Sequence, residues 1–183
     1  MPTDFDFVRG TRRPLAIALL VLAEVGCQQA SAPPVGLVVI DRQGYDQVLA
    51  KHRGKVILVD FWATWCHPCV RQFPHTVEMS RKFEDRGLAV VSVSLDNPDQ
   101  SEKTRQFLQA IGASFDNLLS KYGVSQESMT SFDVEGGTIP HYKLYDRKGN
   151  LRASFSTDPQ ADQQFTPEDI ERRVVELLAE GNG

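Results

Sequence analysis

Two apolar runs organise the chain. Residues 55–63, KVILVDFWA, are almost continuously apolar, rich in β-branched side chains and too short for an ordinary helix. That pattern predicts a strand buried on both faces, as parallel sheets require. Residues 88–95, LAVVSVSL, predict a second strand of the same kind. Between them Val70, Phe73, Pro74 and Val77 recur at helical spacing, so a helix with one apolar face begins at or within CHPC, and Pro74 is expected to kink it. Strand, helix and strand in that order form a right-handed crossover. Upstream, GLVVID predicts a short strand and Tyr45, Val48 and Leu49 a helical stretch. Downstream, NPDQSEKTRQFLQAIG predicts a helix with Phe107, Leu108 and Ile111 inward and Gly112 as its stop. Residues 113–137 are less regular, with a short strand at 115–119 and a weak helix near Met129, closing on EGG. HYKLYDRKGNLRASF predicts a hairpin whose Gly149 can take positive φ. In TPED, Thr166 can cap a last helix, Pro167 suits its first turn and Asp169 completes a capping box. Ile170, Val174, Leu177 and Leu178 form that helix's inward face. Together these elements predict an α/β fold, a mixed sheet flanked by helices.

The N-terminus follows a different pattern. Arg9, Arg12 and Arg13 precede the apolar run PLAIALLVLAEVGC, after which QQASAPPVG turns small, polar and proline-rich. A basic start, a short apolar segment and then small residues is the layout of an export signal. The run is short for a bilayer, which takes roughly 20 apolar residues, and Glu24 interrupts it. VGC resembles the end of a bacterial lipoprotein signal, which makes Cys27 a lipidation candidate and a membrane tether, although Glu24 stands where an aliphatic residue is usual. The expected organisation is an export segment over 1–27, a flexible linker over 28–36 and a folded domain over 37–183. The compartment is then the periplasm or cell envelope.

Composition narrows the rest. An apolar fraction of 41% and a charged fraction of 24% are ordinary for a soluble domain. The net charge of -4 and the lack of a basic stripe argue against a nucleic-acid partner. With Cys27 assigned to the signal, two of the three cysteines remain, Cys66 and Cys69. One close pair does not staple a fold.

VDFWATWCHPC, with a proline five residues after the second cysteine and TIP ahead of a hairpin, resembles the thioredoxin superfamily. The export segment and the extra residues before TIP are most similar to its exported TlpA/ResA branch. The resemblance implies a thioredoxin-like fold with a central mixed sheet flanked by helices and an insertion before a cis-proline hairpin. It also implies a thiol-disulfide oxidoreductase that exchanges electrons with protein thiols and disulfides. Its carrier would be the Cys66–Cys69 pair itself, without a further cofactor or metal.

Cys66 is expected to sit at a helix N-terminus, where backbone N–H groups and the dipole favour a thiolate. It is the expected nucleophile, and Cys69 the more buried resolving thiol. Lowering a thiol pKa from about 8.5 to about 7 raises the thiolate fraction about fifteenfold. Weaker nucleophilicity takes back about fivefold, so redox poise changes more than attack rate. The resemblance makes Asp60 the buried acid that accepts the proton of the resolving cysteine, and burial should raise its pKa. It makes Pro140 the cis-proline facing the cysteines and Ile139 a source of backbone groups for an extended substrate. Trp65, His67 and Pro68 complete the expected binding surface, with Phe61 and Trp62 as support. Gln72 and His141 depart from the branch's usual glutamate and threonine, and both are expected near the partner. Family analogy favours a reductant fed by a membrane electron donor, with the haem-attachment cysteines of apocytochromes c as a possible substrate.

Two rival readings fit the residues less well. A copper or zinc carrier would gather Cys66, Cys69, His67, His75 and His141, but zinc wants four ligands and there is only one CxxC. A thiol peroxidase would carry a PxxxTxxC pattern, which does not occur.

Overall fold

The computed structural model describes residues 35–157 and 164–181. The expected export segment, Cys27 and most of the expected linker lie outside the described residues. The end of that linker differs from expectation. Val35 is buried and its N–H donates to Gln109 Oε1 at 2.8 Å, so the chain is already tied down two residues before the expected start.

Among the described residues six strands form one sheet: β1 (Val38–Ile40), β2 (Val56–Trp62), β3 (Leu88–Ser94), β4 (Asp116–Ser120), β5 (His141–Tyr145) and β6 (Leu151–Ser156). Their spatial order is β1-β4-β3-β2-β5-β6. The first four in that order are parallel, whereas β5 runs antiparallel to β2 and β6 to β5. The two apolar runs are the centre of the sheet, and every residue of β2 and β3 is buried. Among the described residues five α-helices accompany it: α1 (Arg42–Lys51), α2 (His67–Phe83), α3 (Ser101–Ile111), α4 (Gln126–Ser131) and α5 (Pro167–Ala179). Among the described residues no helix is long and apolar enough to cross a membrane.

Alternation along β2 assigns its side chains to two layers. Val56 and Leu58 pack with Met79 and Phe83 of α2 and with Ile170, Val174 and Leu177 of α5. Ile57, Val59 and Phe61 pack on the other face with Tyr45 of α1 and Phe132 beyond α4. A third cluster, at the carboxyl end of β2, joins Trp62, Cys66, Cys69, Phe73 and Leu108.

The ends of the elements carry the expected stop and start chemistry. Gly112 follows α3 at φ 70, and Gly149 turns the β5–β6 hairpin at φ 84. Thr166 and Asp169 exchange both bonds of a capping box at α5. Helix α2 continues across Pro74 to Phe83 as one element. Lacking an N–H, Pro74 removes one rung of the ladder, and the apolar face on either side keeps the helix on the sheet. In α3 the fully buried positions are Thr104 and Leu108, while Phe107 and Ile111 are half-buried at its edge.

Candidate active site

The site forms where β2 ends and α2 begins. Cys66 is the N-cap of α2, with extended backbone, and the N–H of Cys69 donates to its Sγ at 3.3 Å. A helix N-terminus leaves several N–H groups without intrahelical partners, and here one is aimed at the Cys66 sulfur, a position that favours negative charge. Cys66 and Cys69 are joined as a disulfide across a Cα–Cα separation of 5.2 Å. Cys66 is 6% exposed and Cys69 1%. Cys66 is thus the more exposed of the two sulfurs, yet even it offers a partner only a narrow rim. Around that rim Trp65 is 45% exposed, and His67 and Pro68 are exposed in the first turn of α2.

Opposite the helix end, the Ile139–Pro140 bond is cis. The Ile139 carbonyl oxygen lies 3.8 Å from Cys66 Sγ. The chain just before β5 therefore presents main chain beside the Cys66 sulfur.

Asp60 lies inside β2, with two more strand residues beyond it, and is 1% exposed. Thr76 Oγ1 donates to its Oδ2 at 2.7 Å, while Oδ1 has no hydrogen-bond partner among the described residues. Burial pushes its pKa up to about 7, against the opposing pull of the Thr76 and Tyr142 hydroxyls. Cys69, Gln72, Phe73 and Thr76 recur at helical spacing on one face of α2, so Cys69 shares the face that covers Asp60.

A disulfide-forming cysteine pair at a helix start thus lies close to a buried acid, and comparison with known proteins supports thiol-disulfide chemistry for the pair. Residues 29–154 match the model of the AhpC/TSA family. The chain belongs to this family. The thiol-disulfide oxidoreductase ResA of Geobacillus kaustophilus is 26% identical over 174 residues, covering 88% of this chain and 92% of the relative. The thioredoxin-like protein YneN of Bacillus subtilis is 34% identical over 131 residues, covering 70% and 72%. Among solved structures, a putative thiol:disulfide interchange protein DsbE from Chlorobium tepidum matches with a TM-score of 0.58 and 29% identity, over 71% of this chain and 84% of that one. This AhpC/TSA-family protein has a thioredoxin-like fold and is a thiol-disulfide oxidoreductase.

The register of the central strands corrects the expectation that the His141 side chain lies near the partner. Phe61 pairs with His141 and Asp60 with Tyr142 across β2 and β5. His141 therefore points to the face away from Asp60, against the Phe61 ring at 5.8 Å, with Nε2 3.1 Å from Ser154 Oγ. It is fully buried, and burial lowers its pKa to about 4, so it does not meet a partner. His67 and His75 are exposed on α2, so the five residues imagined as a metal set are not gathered at one point. Gln72 also reaches inward. It is half-buried, and its Oε1 faces the Tyr142 hydroxyl at 3.5 Å.

Three site residues escaped the sequence reading. Asp96, just past β3, is fully buried and accepts from the Thr64 N–H at 3.0 Å and from the Thr64, Ser94 and Thr104 hydroxyls at 2.8, 2.7 and 3.1 Å. It pins the loop that leads into Trp65 and Cys66. Thr76 had a signal: a polar residue on the inward face of α2. Tyr142 had none, because its meeting with Asp60 depends on a strand pairing between distant segments. On the opposite face, the buried Lys143 ammonium donates to the Phe132 carbonyl at 2.9 Å and holds the end of the insertion to β5.

Proposed function

We propose that this protein reduces disulfides of other proteins in the cell envelope, using the Cys66–Cys69 dithiol as its electron carrier. The observation that carries the reading is the N-cap position of Cys66, with an N–H on its sulfur and the Ile139 carbonyl beside it. In the reduced protein the Cys66 thiolate attacks one sulfur of a partner disulfide. The Cys66–partner bond forms, the partner's own S–S bond breaks, and the departing thiolate takes a proton from solvent. Asp60, as carboxylate, then accepts the proton of the Cys69 thiol. The Cys69 thiolate attacks Cys66, forming the intramolecular disulfide and releasing the partner's second sulfur as thiolate. Two electrons have passed to the partner. Trp65, His67, Pro68 and Ile139 surround the sulfurs and form the surface for its chain.

The dithiol needs no further cofactor for this cycle. It must be re-reduced, and a membrane electron donor is the class of partner that can do so outside the cytoplasm. The basic and apolar N-terminal pattern and Cys27 support an envelope location with a lipid tether. Paired haem-attachment cysteines of apocytochromes c are the substrate to test first.

Thiol-dependent reduction of insulin by the purified domain measures the activity. Cys66→Ser should abolish turnover, and Cys69→Ser should accumulate mixed disulfides with substrate. Normal turnover in Cys66→Ser would remove the nucleophile from this scheme. The direction is tested by the Cys66–Cys69 potential. A value below the glutathione couple supports a reductant, and one near the strong oxidants reverses the assignment.

A further inference from the structure

Asp60 must ionise inside the core, and an ionised carboxylate there needs donors on both oxygens. Oδ2 has Thr76, and Oδ1 has none among the described residues. The neighbouring elements narrow the search for the missing donor. Ser92, opposite Asp60 on β3, already gives its hydroxyl to Asn117 Oδ1 at 2.8 Å. Helix α5 turns apolar Ile170 and Val174 to this side of the sheet. From α2 come Thr76 and, on the same face, Cys69 and Gln72. From β5 comes Tyr142, the direct cross-strand neighbour of Asp60, 1% exposed. Its hydroxyl already interacts with the Asp60 carboxyl, by charge and by weak hydrogen bonding, and weakly with Thr76. Within ordinary hydrogen-bond distance it reaches Gln72 Oε1, at a long 3.5 Å.

We propose that Tyr142 is a positioning residue for the proton step: its hydroxyl leaves Gln72 for Asp60 Oδ1 when the carboxyl ionises, while Thr76 holds Oδ2. The two hydroxyls thereby set how readily Asp60 accepts the Cys69 proton. Gln72 acts in the opposite sense, since it competes for the Tyr142 hydrogen. This inference rests on the reading of Asp60 as proton acceptor, but its first test does not.

The Asp60 carboxyl is titrated by carbon-13 NMR in the oxidised full chain and in three variants. Tyr142→Phe keeps the ring on Phe165, with which it packs at 5.7 Å, and removes only the hydroxyl. The midpoint should move up by about one pH unit, a tenfold rise in proton affinity. Gln72→Leu frees the hydroxyl and should move the midpoint down. Thr76→Val should move it up and Thr76→Ser leave it in place, a pattern that loss of packing alone does not produce. An unchanged midpoint in Tyr142→Phe overturns the proposal, and so does a shift of the same sign in Gln72→Leu. The pH dependence of mixed-disulfide release is then measured in Tyr142→Phe. A parallel shift supports both readings. A shift in the titration that the release rate does not follow upholds the tuning and removes Asp60 from the proton path.

Discussion

A carboxyl that is 1% exposed in the middle of a central strand affects stability as well as chemistry. Its pKa of about 7 stands above the ordinary 3.8 because burial disfavours the charge. Below about pH 4 the carboxyl is protonated in folded and unfolded chains alike. Between there and about pH 7 the unfolded chain has shed a proton that the folded protein keeps, so stability falls as pH rises, and above pH 7 it levels off. Three pH units correspond to roughly 4 kcal/mol. Urea unfolding of Asp60→Asn should lack that slope, and the variant should be the more stable protein at pH 8. The same substitution removes a base poised near neutrality, and release of the mixed disulfide should slow by about 10²-fold. A gain in stability joined to a loss of rate marks a group kept for its reactivity. Single-turnover release and denaturation curves on the same sample measure both.

At the scale of elements, the ends of helices do two different jobs. The N-terminus of α2 is spent on chemistry, with a cysteine sulfur in the place of the usual oxygen cap. The N-terminus of α5 is spent on stability. There Thr166 Oγ1 accepts from the Asp169 N–H at 3.3 Å and Asp169 Oδ2 accepts from the Thr166 N–H at 2.8 Å. Thr166→Ala should cost about 1 kcal/mol, seen as a lower denaturant midpoint with unchanged slope. Insulin reduction by the folded variant should not change, because this cap touches none of the residues around the sulfurs. Both helix starts were legible from local sequence, since caps are recognised over three or four residues. The insertion around α4 was less so, because its hold on the sheet comes from Lys143, a cation in a strand facing a distant carbonyl.

At the scale of the molecule, the parallel strands deliver their carboxyl ends to one edge, and the reactive loop hangs there. Asp96 ties that edge together, taking hydrogens from the loop before Cys66, from β3 and from α3. Asp96→Ala leaves those donors buried without an acceptor and should cost about 2–4 kcal/mol. Because Thr64 loses its anchor next to Trp65, the variant should also show altered tryptophan emission and slower substrate reduction while still folded. Unchanged emission and rate in a destabilised variant would limit Asp96 to holding the fold.

The local pattern of the chain by itself determined the elements, the cysteine pair at a helix start, Gly149 in its turn and the α5 cap, because each depends on residues within about one or two turns of one another. It also pointed to Asp60, since a carboxylate in an apolar strand is conspicuous. Only the tertiary structure decided which face His141 takes, that Tyr142 stands over Asp60 and that Asp96 holds the reactive loop. The physical reason is register. A side chain in a strand changes faces with every residue, and the pairing of β2 with β5 is made by the packing of the whole sheet, which no short stretch of sequence contains.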